Sequence, residues 1–306
     1  MTALALYTTI YPGVEPYLAD WYRSVRGQTD QDFELWIGLD AMDSRAAMDA
    51  LGADPGGTWV LGEPGDTPAL VRQRALAQIA ERYEGVVLVD SDDVLHASRV
   101  ATARSMLGAN DLVGCALRLV DQSGLPVGVA FGLPQGAEPE DLFPQNNIFG
   151  LSNSAVRSDL LHRCLPIPAS VVLVDWFLAS RAWLLGARLA FDNAVGMDYR
   201  QHGKNMARVL PPFDADRIVR DTERVRDHFR ILQASSPDGA IIHRVEAVAK
   251  VAVDIERFYE RVVLRPFRLE QYLVALNALD IAPLWWSSVA NPALRDMWAG
   301  EKEETT

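Results

Sequence analysis

Three closely spaced carboxylates are the side chains whose types and spacing best suit chemistry. Residues 85–93 read Gly-Val-Val-Leu-Val-Asp-Ser-Asp-Asp, and an aliphatic run bounded by glycine and charge predicts a strand buried on both faces. In open α/β sheets, ligands bind at the carboxyl ends of the strands. Because crowded carboxylates resist ionisation unless a cation lies among them, Asp90, Asp92 and Asp93 suggest a site for Mg²⁺ or Mn²⁺ carried with a diphosphate.

A purely structural role explains the same cluster at least as well. Asp93 would then be the N-cap of the following helix, with Asp90 solvated. Of these two roles, we expect the cap for Asp93 itself. For the cluster as a whole, a metal site and a structural role both stay open, and other parts of the sequence are needed to choose between them.

Composition and charge limit the classes of protein to which this chain can belong. With 306 residues, the chain can bury a large core in one domain or two. A net charge of −12 argues against a nucleic-acid-binding surface. Cys115 and Cys164 are the only cysteines and suggest neither a disulfide framework nor a zinc site. The first residues lack a basic leader segment, and no apolar stretch is long enough to span a bilayer, so we expect a cytoplasmic protein.

The first 95 residues alternate between strand and helix patterns with short links. This alternation predicts a parallel, doubly wound α/β sheet, whose strand ends deliver Thr8 and Thr9, Asp40 and Asp90 to one edge. Neither a G-x-G-x-x-G after the first strand nor a P-loop is present, which disfavours dinucleotide and NTPase sites. The predicted strands are 3–7, 33–39, 58–61 and 85–89, and the predicted helices are 14–26, 46–51 and 67–83.

The later part of the chain predicts a hairpin, a loop over the site, and then helices. We expect a domain 1–210 and a helical C-terminal region 211–306, with a disordered tail at 302–306. The predicted elements are a helix at 96–107, a hairpin of 111–120 with 126–131, a loop at 132–147, a strand at 148–153, helices at 154–161 and 174–185, a strand at 188–191, and C-terminal helices at 214–232, 240–263 and 269–279.

Five segments together resemble one family. Tyr17-Leu18 through Ser24-Val25 to Gln28-Thr29 is similar to a "YL…S(L/V)…QT" helix, and Phe33-Glu34-Leu35 leads to an acid at Asp40. Arg72 precedes the DxD-type triplet Asp90-Ser91-Asp92. Asp175-Trp176-Phe177-Leu178 with Arg181 resembles "EDxxLxxR", and 199–205 (Tyr-Arg-Gln-His-Gly-Lys-Asn) resembles "YRxHxxN". In this order they resemble the family 2 glycosyltransferases, which have the GT-A fold.

The chain departs from that pattern in two segments, one around Asp40 and one before Asp175. Leu39 stands before Asp40 where the family has a second acid, and Ala41 with Met42 replaces a Gly-Ser turn. Val174 stands where the family has the acid that precedes Asp175. The resemblance covers about residues 3–205 and leaves the C-terminal helices outside it.

The resemblance implies an α/β GT-A enzyme of the hexosyltransferase class, which inverts the configuration of the sugar and uses Mn²⁺ or Mg²⁺. It implies that Asp175 is the general base, that Asp92 and His202 are metal ligands, and that Asp90 lies near the ribose and metal-bound water. Asp40 is expected to accept a hydrogen bond from the nucleobase and Thr9 to support the base or ribose, while Arg72 would either approach the diphosphate or brace the Asp90 loop. Arg200 and Lys204 would suit phosphate oxygens, the first by a bidentate fork and the second as a point charge.

Each of these residues also has a structural interpretation. Asp175 alone would suggest a helix N-cap, a lone histidine such as His202 is more often filler than ligand, and Arg200 and Lys204 would also suit solvated cations. For Thr9, Asp40 and Arg72 the structural role is nearly as well supported. The tryptophans Trp285, Trp286 and Trp298 leave sugar stacking, a lipid surface, core packing and an oligomer contact open.

The leading functional hypothesis is transfer of a sugar from a nucleoside diphosphate donor to a hydroxyl acceptor in bacterial polysaccharide or glycoconjugate synthesis. Two alternatives stay open: a nucleotide-sugar-binding scaffold that has lost catalysis, and a sugar-1-phosphate nucleotidyltransferase. The latter usually carries a Gly-rich, Arg-containing loop after the first strand, which residues 8–13 do not supply. No nucleic-acid partner is expected, while contact with the inner face of the membrane and homo-oligomerisation are both left open.

Overall fold

The computed structural model describes residues 3–202, 205, 209–280 and 283–300. Lys204, the predicted tail at 302–306 and part of the predicted domain boundary near 208–212 lie outside these residues. The strands are β1 (Leu4–Ile10), β2 (Phe33–Leu39), β3 (Thr58–Leu61), β4 (Gly85–Leu88), β5 (Val94–Leu95), β6 (Leu112–Val120), β7 (Pro126–Phe131), β8 (Ser154–Arg157) and β9 (Leu189–Arg200).

The helices lie on both sides of the strand region and continue beyond it. They are α1 (Glu15–Arg26), α2 (Ser44–Leu51), α3 (Pro68–Arg82), α4 (Arg99–Leu107), α5 (Ser158–Cys164), α6 (Val174–Leu184), α7 (Ala215–Ala234), α8 (Ile242–Phe258), α9 (Pro266–Asn277) and α10 (Arg295–Trp298). Short 3₁₀ turns at Pro139–Leu142 and Pro292–Leu294 and a π turn at Tyr259–Val263 complete the described elements. No helix in the described ranges has the length and apolar character needed to cross a membrane.

The described strands form one mixed sheet in the order β3-β2-β1-β4-β8-β6-β9-β5, with β7 paired to β6. The prediction of parallel pairing is confirmed for β1 with β2 and β4, and for β2 with β3. The prediction of a hairpin is also confirmed, because β6 and β7 pair antiparallel. The connection from β1 runs outward to β2 and β3 and then returns to β4, so a topological switch point lies between β1 and β4.

Apolar stripes explain why the N-terminal helices form and where they pack. Leu18, Trp21 and Val25 recur at helical spacing in α1 and are buried. Pro68 takes the first position of α3 behind Thr67, where its missing N–H costs no hydrogen bond. These helices therefore cover the sheet and leave the carboxyl ends of its central strands open.

Two predicted elements around the acidic cluster are wrong. Residues 94–95 pair with β9 instead of starting a helix, and α4 begins only at Arg99 with Ser98 at its N-cap position. Asp93 is therefore no helix cap. Residues 148–150 have no regular secondary structure and 151–153 form a turn, so the predicted strand is wrong. The strand is β8, and the helix that was predicted from residue 154 begins at Ser158.

The C-terminal helices pack on the sheet-bearing part of the chain. Helix α7 contacts α6, and the later segment returns to the sheet, where Trp285 forms an isolated antiparallel bridge with Asn147. Trp285, Trp286 and Trp298 are all buried. The division into domains 1–210 and 211–306 stays a prediction, but residues from both parts line the same cavity.

Candidate active site

A cavity of about 450 Å³ opens at the carboxyl ends of β1, β2 and β4. Tyr11 follows β1, Asp40 follows β2, and Asp90 with Asp92 follows β4, which is why side chains far apart in sequence meet at this edge. Five of the predicted site residues line this cleft, namely Asp40, Arg72, Asp90, Asp92 and Asp175.

The acidic corner, which we define as Asp90, Asp92 and Asp93, is held together by hydrogen bonds to Ser152. The Ser152 hydroxyl lies 3.0 Å from Asp90 Oδ2 and also hydrogen-bonds to Asp93 Oδ2. This hydroxyl has one proton to share between the two carboxyl groups. Burial, and then the charges of Asp92 and Asp90, raise the pKa of Asp93 well above its ordinary range.

The same causes act on Asp90, which faces the cleft. Burial, followed by the charge of Asp92, raises the pKa of Asp90 to about 6, although Arg72 and Ser152 oppose the shift. Tyr11 lies close enough that Asp92 and Asp90 add to the effect of burial in raising the pKa of its phenol. Negative charge is therefore concentrated at this corner, and a bound cation would relieve it.

His202 completes the corner from the end of β9. Its Nε2 lies 2.9 Å from Asp92 Oδ2, and its ring stacks on Tyr17 with centroids 5.2 Å apart. Among the described residues, no group of three or more His, Cys, Asp or Glu side chains has the arrangement of a metal site. A metal shared with substrate phosphates usually takes only one or two protein carboxylates. Asp92 with His202, beside Asp90 with its raised pKa, fits such a shared ion.

Arg200 braces this corner from behind and does not line the cleft. Its guanidinium Nε donates to the backbone oxygen of Asp92 at 2.9 Å, Nη1 donates to the backbone oxygen of Gln122 at 3.0 Å, and Nη2 lies 3.5 Å from Asp20 Oδ2. Its backbone N–H donates to Asp93 Oδ1 at 2.8 Å. With 3% exposure, this fork already has protein partners, so its predicted contact with the donor stays untested and the geometry favours a positioning role.

Thr9 also differs from its predicted place in a loop. It lies within β1, is 3% exposed, and has its hydroxyl 3.0 Å from the hydroxyl of Tyr7. The backbone oxygen of Thr9 accepts a hydrogen bond from Ser91 Oγ at 2.8 Å. Thr9 therefore ties β1 to the acidic corner, and its predicted contact with base or ribose stays a prediction.

Arg72, on α3, is the positive centre of the cleft. Nη1 donates to the backbone oxygen of Pro68 at 3.3 Å, while Nε is buried and has no hydrogen-bond partner among the described residues. Its charge lowers the pKa values of Asp40, Asp90 and Asp175, against the larger effect of burial on each. A cation that faces three carboxyl groups and retains an unsatisfied donor can bind an anionic ligand in the space between them.

Asp175 lies on the cleft wall at the start of α6. The N-cap position belongs to Leu173, so the interpretation of Asp175 as a simple N-cap is wrong. Burial raises the pKa of Asp175 to about 6, while the backbone N–H of Trp176, the charge of Arg72 and a hydrogen bond from Asn147 oppose the shift. Asn147 Nδ2 donates to Asp175 Oδ2 at 3.4 Å. A carboxylate with this pKa is ionised near neutral pH and basic enough to accept a proton.

Several cleft residues were not identified as candidates from the sequence. Asn147 lies in the predicted loop 132–147 and gives no local signal, and Ser152 lies in a segment predicted to be a strand. Tyr11 follows the first strand and was not singled out. The pair Trp285-Trp286 did give a signal, because sugar stacking was one of its interpretations; both residues line the cavity.

No protein-family model and no curated protein matches the chain. Solved structures do match. The crystal structure of S. aureus TarS aligns with a TM-score of 0.57 and 16% identity over 91% of this chain and 48% of that one, so the chain spans about half of that protein's length. S. aureus TarS 1-349 in complex with UDP-GlcNAc gives 0.56 and 16% over 91% and 80% of the two chains.

A third structure comes from another organism. The mannosyltransferase PcManGT from Pyrobaculum calidifontis, in complex with GDP-Man and Mn²⁺, aligns with a TM-score of 0.53 and 17% identity over 91% of this chain and 76% of that one. At these identities the comparisons bear on the fold alone. The chain has an α/β fold of the GT-A type, to which a helical C-terminal region is added.

Proposed function

We propose that this protein is an inverting, metal-assisted glycosyltransferase that moves a sugar from a nucleoside diphosphate to a hydroxyl acceptor, in the cytoplasm, in bacterial polysaccharide or glycoconjugate synthesis. The observation that carries the proposal is the convergence of Asp175, Arg72 and the acidic corner on one cleft. Solved complexes of similar fold support it, because one contains UDP-GlcNAc and another contains GDP-Man with Mn²⁺.

The donor would lie along the wall made by the ends of β1, β2 and β4. Asp40 would accept a hydrogen bond from the nucleobase, and Asp90 would bind the ribose. The unsatisfied Nε of Arg72 would donate to a diphosphate oxygen, a charge-assisted bond that is stronger than a neutral one. This arrangement places the leaving group between the only arginine of the cleft lining, among described residues, and the acidic corner.

Asp92 and His202 would hold Mn²⁺ or Mg²⁺ beside the diphosphate. When bound, the ion neutralises negative charge that grows on the leaving diphosphate. The chain's part is to keep both ligands in place: Tyr17 stacks on the ring of His202, and Arg200 holds the backbone of Asp92. Bound phosphates and water would complete the ion's coordination, which explains why the protein supplies few ligands.

Asp175 would act on the acceptor. Its carboxylate removes the proton of the acceptor hydroxyl while that oxygen forms a bond to the anomeric carbon. The bond between this carbon and the phosphate oxygen breaks, and its electron pair leaves with the nucleoside diphosphate. Attack on the face opposite the leaving group inverts the configuration. Asn147 orients the carboxylate through its amide.

The test is Asp175→Asn, which keeps the size of the side chain and removes the base. We expect titration with UDP, GDP and dTDP in the presence of Mn²⁺ to show the same affinity for nucleotide as the wild type, while sugar transfer or donor hydrolysis falls about 10²- to 10⁴-fold. Asp159→Asn is the matched control, because Asp159 lies on α5 with a side chain 71% exposed, and it should retain full turnover.

The outcomes of these assays distinguish a glycosyltransferase from a binding scaffold and from a nucleotidyltransferase. If Asp175→Asn hydrolyses donor at the parental rate, the assignment of the base is wrong. A wild-type protein that binds nucleotide sugar with Mn²⁺ but never turns it over would be the scaffold. Release of pyrophosphate from a nucleoside triphosphate and a sugar 1-phosphate would show the nucleotidyltransferase instead.

A further inference from the structure

Helix α6, which carries Asp175 in its first turn, is tied at its other end to the start of α8. The backbone oxygen of Leu184 accepts a hydrogen bond from the backbone N–H of Ile241 at 2.8 Å. The backbone oxygen of Trp183 accepts another from the guanidinium of Arg244. The last turn of the helix that carries the candidate base is therefore fixed by the C-terminal region.

The first turn of α6 is held by aromatic rings from the same region. Trp176 directly follows Asp175 and is fully buried. Its indole lies nearly parallel to the ring of His228, with centroids 4.4 Å apart and planes inclined by 18°. It also lies nearly parallel to Trp286 at 6.4 Å, and edge-on to Phe229 at 5.7 Å. All three rings come from residues beyond 211, outside the segment that resembles family 2 glycosyltransferases.

His228 contributes a flat, uncharged ring to this cluster. Its side chain is buried, and neither ring nitrogen has a hydrogen-bond partner among the described residues. Burial lowers the pKa of His228 to about 3, so the ring is neutral wherever a carboxylate base would work. A buried polar ring without partners costs stability. Replacing His228 would therefore change the packing on Trp176 without changing a charge near the site.

The backbone of Trp176 connects this cluster to the carboxyl group of Asp175. Burial is the main cause that raises the pKa of Asp175, and a hydrogen bond from the backbone N–H of Trp176 is the first of those that lower it. The charged groups that act on this carboxyl group are Arg72, on α3, and Asp90, after β4, while Asn147 adds a hydrogen bond. A shift of Trp176 would weaken its own bond to the carboxylate and leave these other groups in place.

We infer that His228 is a positioning residue for the candidate base, which acts by packing on Trp176 and so holds the first turn of α6 in place. The inference rests on the proposed function, because His228 touches no reacting atom and acts only through Asp175. It also gives the C-terminal helices a part in catalysis. Asp40 and Asp92 instead follow strands of the sheet, so we expect His228 to affect turnover and not nucleotide affinity.

The test compares three substitutions on α7. His228→Ala removes the ring and leaves a cavity beside Trp176, whereas His228→Phe retains a flat ring. Ile218→Ala is the matched control, because Ile218 is buried on the same helix but lies about 15 Å from His228 along the helix axis. For each protein, sugar transfer is measured across pH, affinity for UDP and GDP is measured with Mn²⁺, and stability is measured by urea unfolding.

We expect His228→Ala to lower kcat about 10- to 100-fold, because a displacement of about 1 Å at a reacting group can cost that much. Its affinity for the nucleoside diphosphate should not change. The acid limb of its pH–rate profile should move to higher pH, because a weakened bond from Trp176 lowers the pKa of Asp175 less. His228→Phe should retain the parental kcat and profile, and Ile218→Ala should lose stability only.

Three results would overturn the inference. The first is parental turnover by His228→Ala. The second is an equal loss in His228→Phe, which would assign the effect to the ring nitrogens instead of packing. The third is an equal loss in Ile218→Ala, which would make it a general effect of stability. If His228→Ala does not fold, His228→Leu replaces it, because leucine fills the space without a flat face; an unshifted pH–rate profile in that variant would also overturn the inference.

A measurement that requires no turnover separates this inference from the proposed function. NMR of isotope-labelled aspartate carboxyl carbons reports the pKa of Asp175, with the signal assigned by its loss in Asp175→Asn. A pKa that rises in His228→Ala and returns in His228→Phe would support the positioning role even in a protein that transfers no sugar. Sugar transfer with the same kcat and the same pKa in wild type and His228→Ala would leave the proposed function intact and disprove the positioning role.

Discussion

The two walls of the cleft are built on different principles. The donor wall consists of polar and charged side chains at the ends of β1, β2 and β4, with Arg72 facing them from α3. The second wall carries Trp285 and Trp286 on a hydrogen-bonded segment that is distant in sequence from the sheet. Sheet topology alone determines the first wall, whereas the second depends on how a C-terminal segment packs back.

The substitution with the largest expected effect on the donor wall is Asp92→Asn. It removes a ligand charge from the acidic corner while the amide retains the size of the side chain. We expect the Mn²⁺-dependent part of nucleotide affinity to be lost and turnover to fall at least a hundredfold. Isothermal titration with UDP or GDP, with and without Mn²⁺, measures the first effect. Unchanged Mn²⁺ dependence would place the ion elsewhere.

Arg72→Gln is expected to have two effects, on nucleotide affinity and on the pH–rate profile, both smaller than the effect of Asp92→Asn. The loss of a charge-assisted bond should weaken nucleotide affinity about ten- to a hundredfold. Because Arg72 also lowers the pKa of Asp175, its removal should shift the acid limb of the pH–rate profile to higher pH. Arg74→Gln on the same helix, which pairs instead with Asp66, is the control. A variant that binds nucleotide more weakly but has an unshifted pH–rate profile would contradict the expected effect of Arg72 on the pKa of Asp175.

The smallest expected effect is on stability and its pH dependence. Burial raises the pKa of Asp175 to about 6 from 3.8, so the folded state binds its proton more tightly than the unfolded state. The contribution of this group to stability is complete below about pH 4 and is lost as pH rises through 6. Asp175→Asn should therefore be more stable than wild type at pH 8, by on the order of 3 kcal/mol, and this difference should shrink by pH 4.

Urea unfolding of both proteins across this range measures that difference. A gap that is constant with pH would mean that Asp175 titrates normally in the folded state. The same profile predicts that turnover rises with pH through about 6, since only the carboxylate accepts a proton. Activity that is greatest below pH 5 would contradict a role for Asp175 as the base.

How much the sequence predicts also differs between the walls. Strands β2 and β3 have the predicted bounds, because each is a short apolar run between clear turn signals. The acidic corner also lies where the sequence predicted it, directly after the buried apolar run at 85–89. The role of Asp93 was wrong because residues 94–95 pair with β9, a contact between distant segments that local patterns do not record.

The second wall depends almost wholly on such distant contacts. Asn147 lies in a segment that gives only a loop signal, yet its side chain reaches Asp175. The residues at 148–153 have the composition of a strand, but side-chain hydrogen bonds of Asn153 and Ser154 hold turns there. The segment that contains Trp286 is held by hydrogen bonds from Tyr272 to Ser288 and from Asn291 to Ser287, which no local pattern predicts.

The most direct test is a crystal structure of the protein with Mn²⁺ and the nucleoside diphosphate that binds most tightly in titration. We expect anomalous scattering from manganese beside Asp92 and His202, the diphosphate within reach of Arg72, and Asp175 facing the position of the sugar from the other wall. Manganese bound away from the acidic corner, or a nucleotide whose sugar end points away from Asp175, would contradict the glycosyltransferase mechanism.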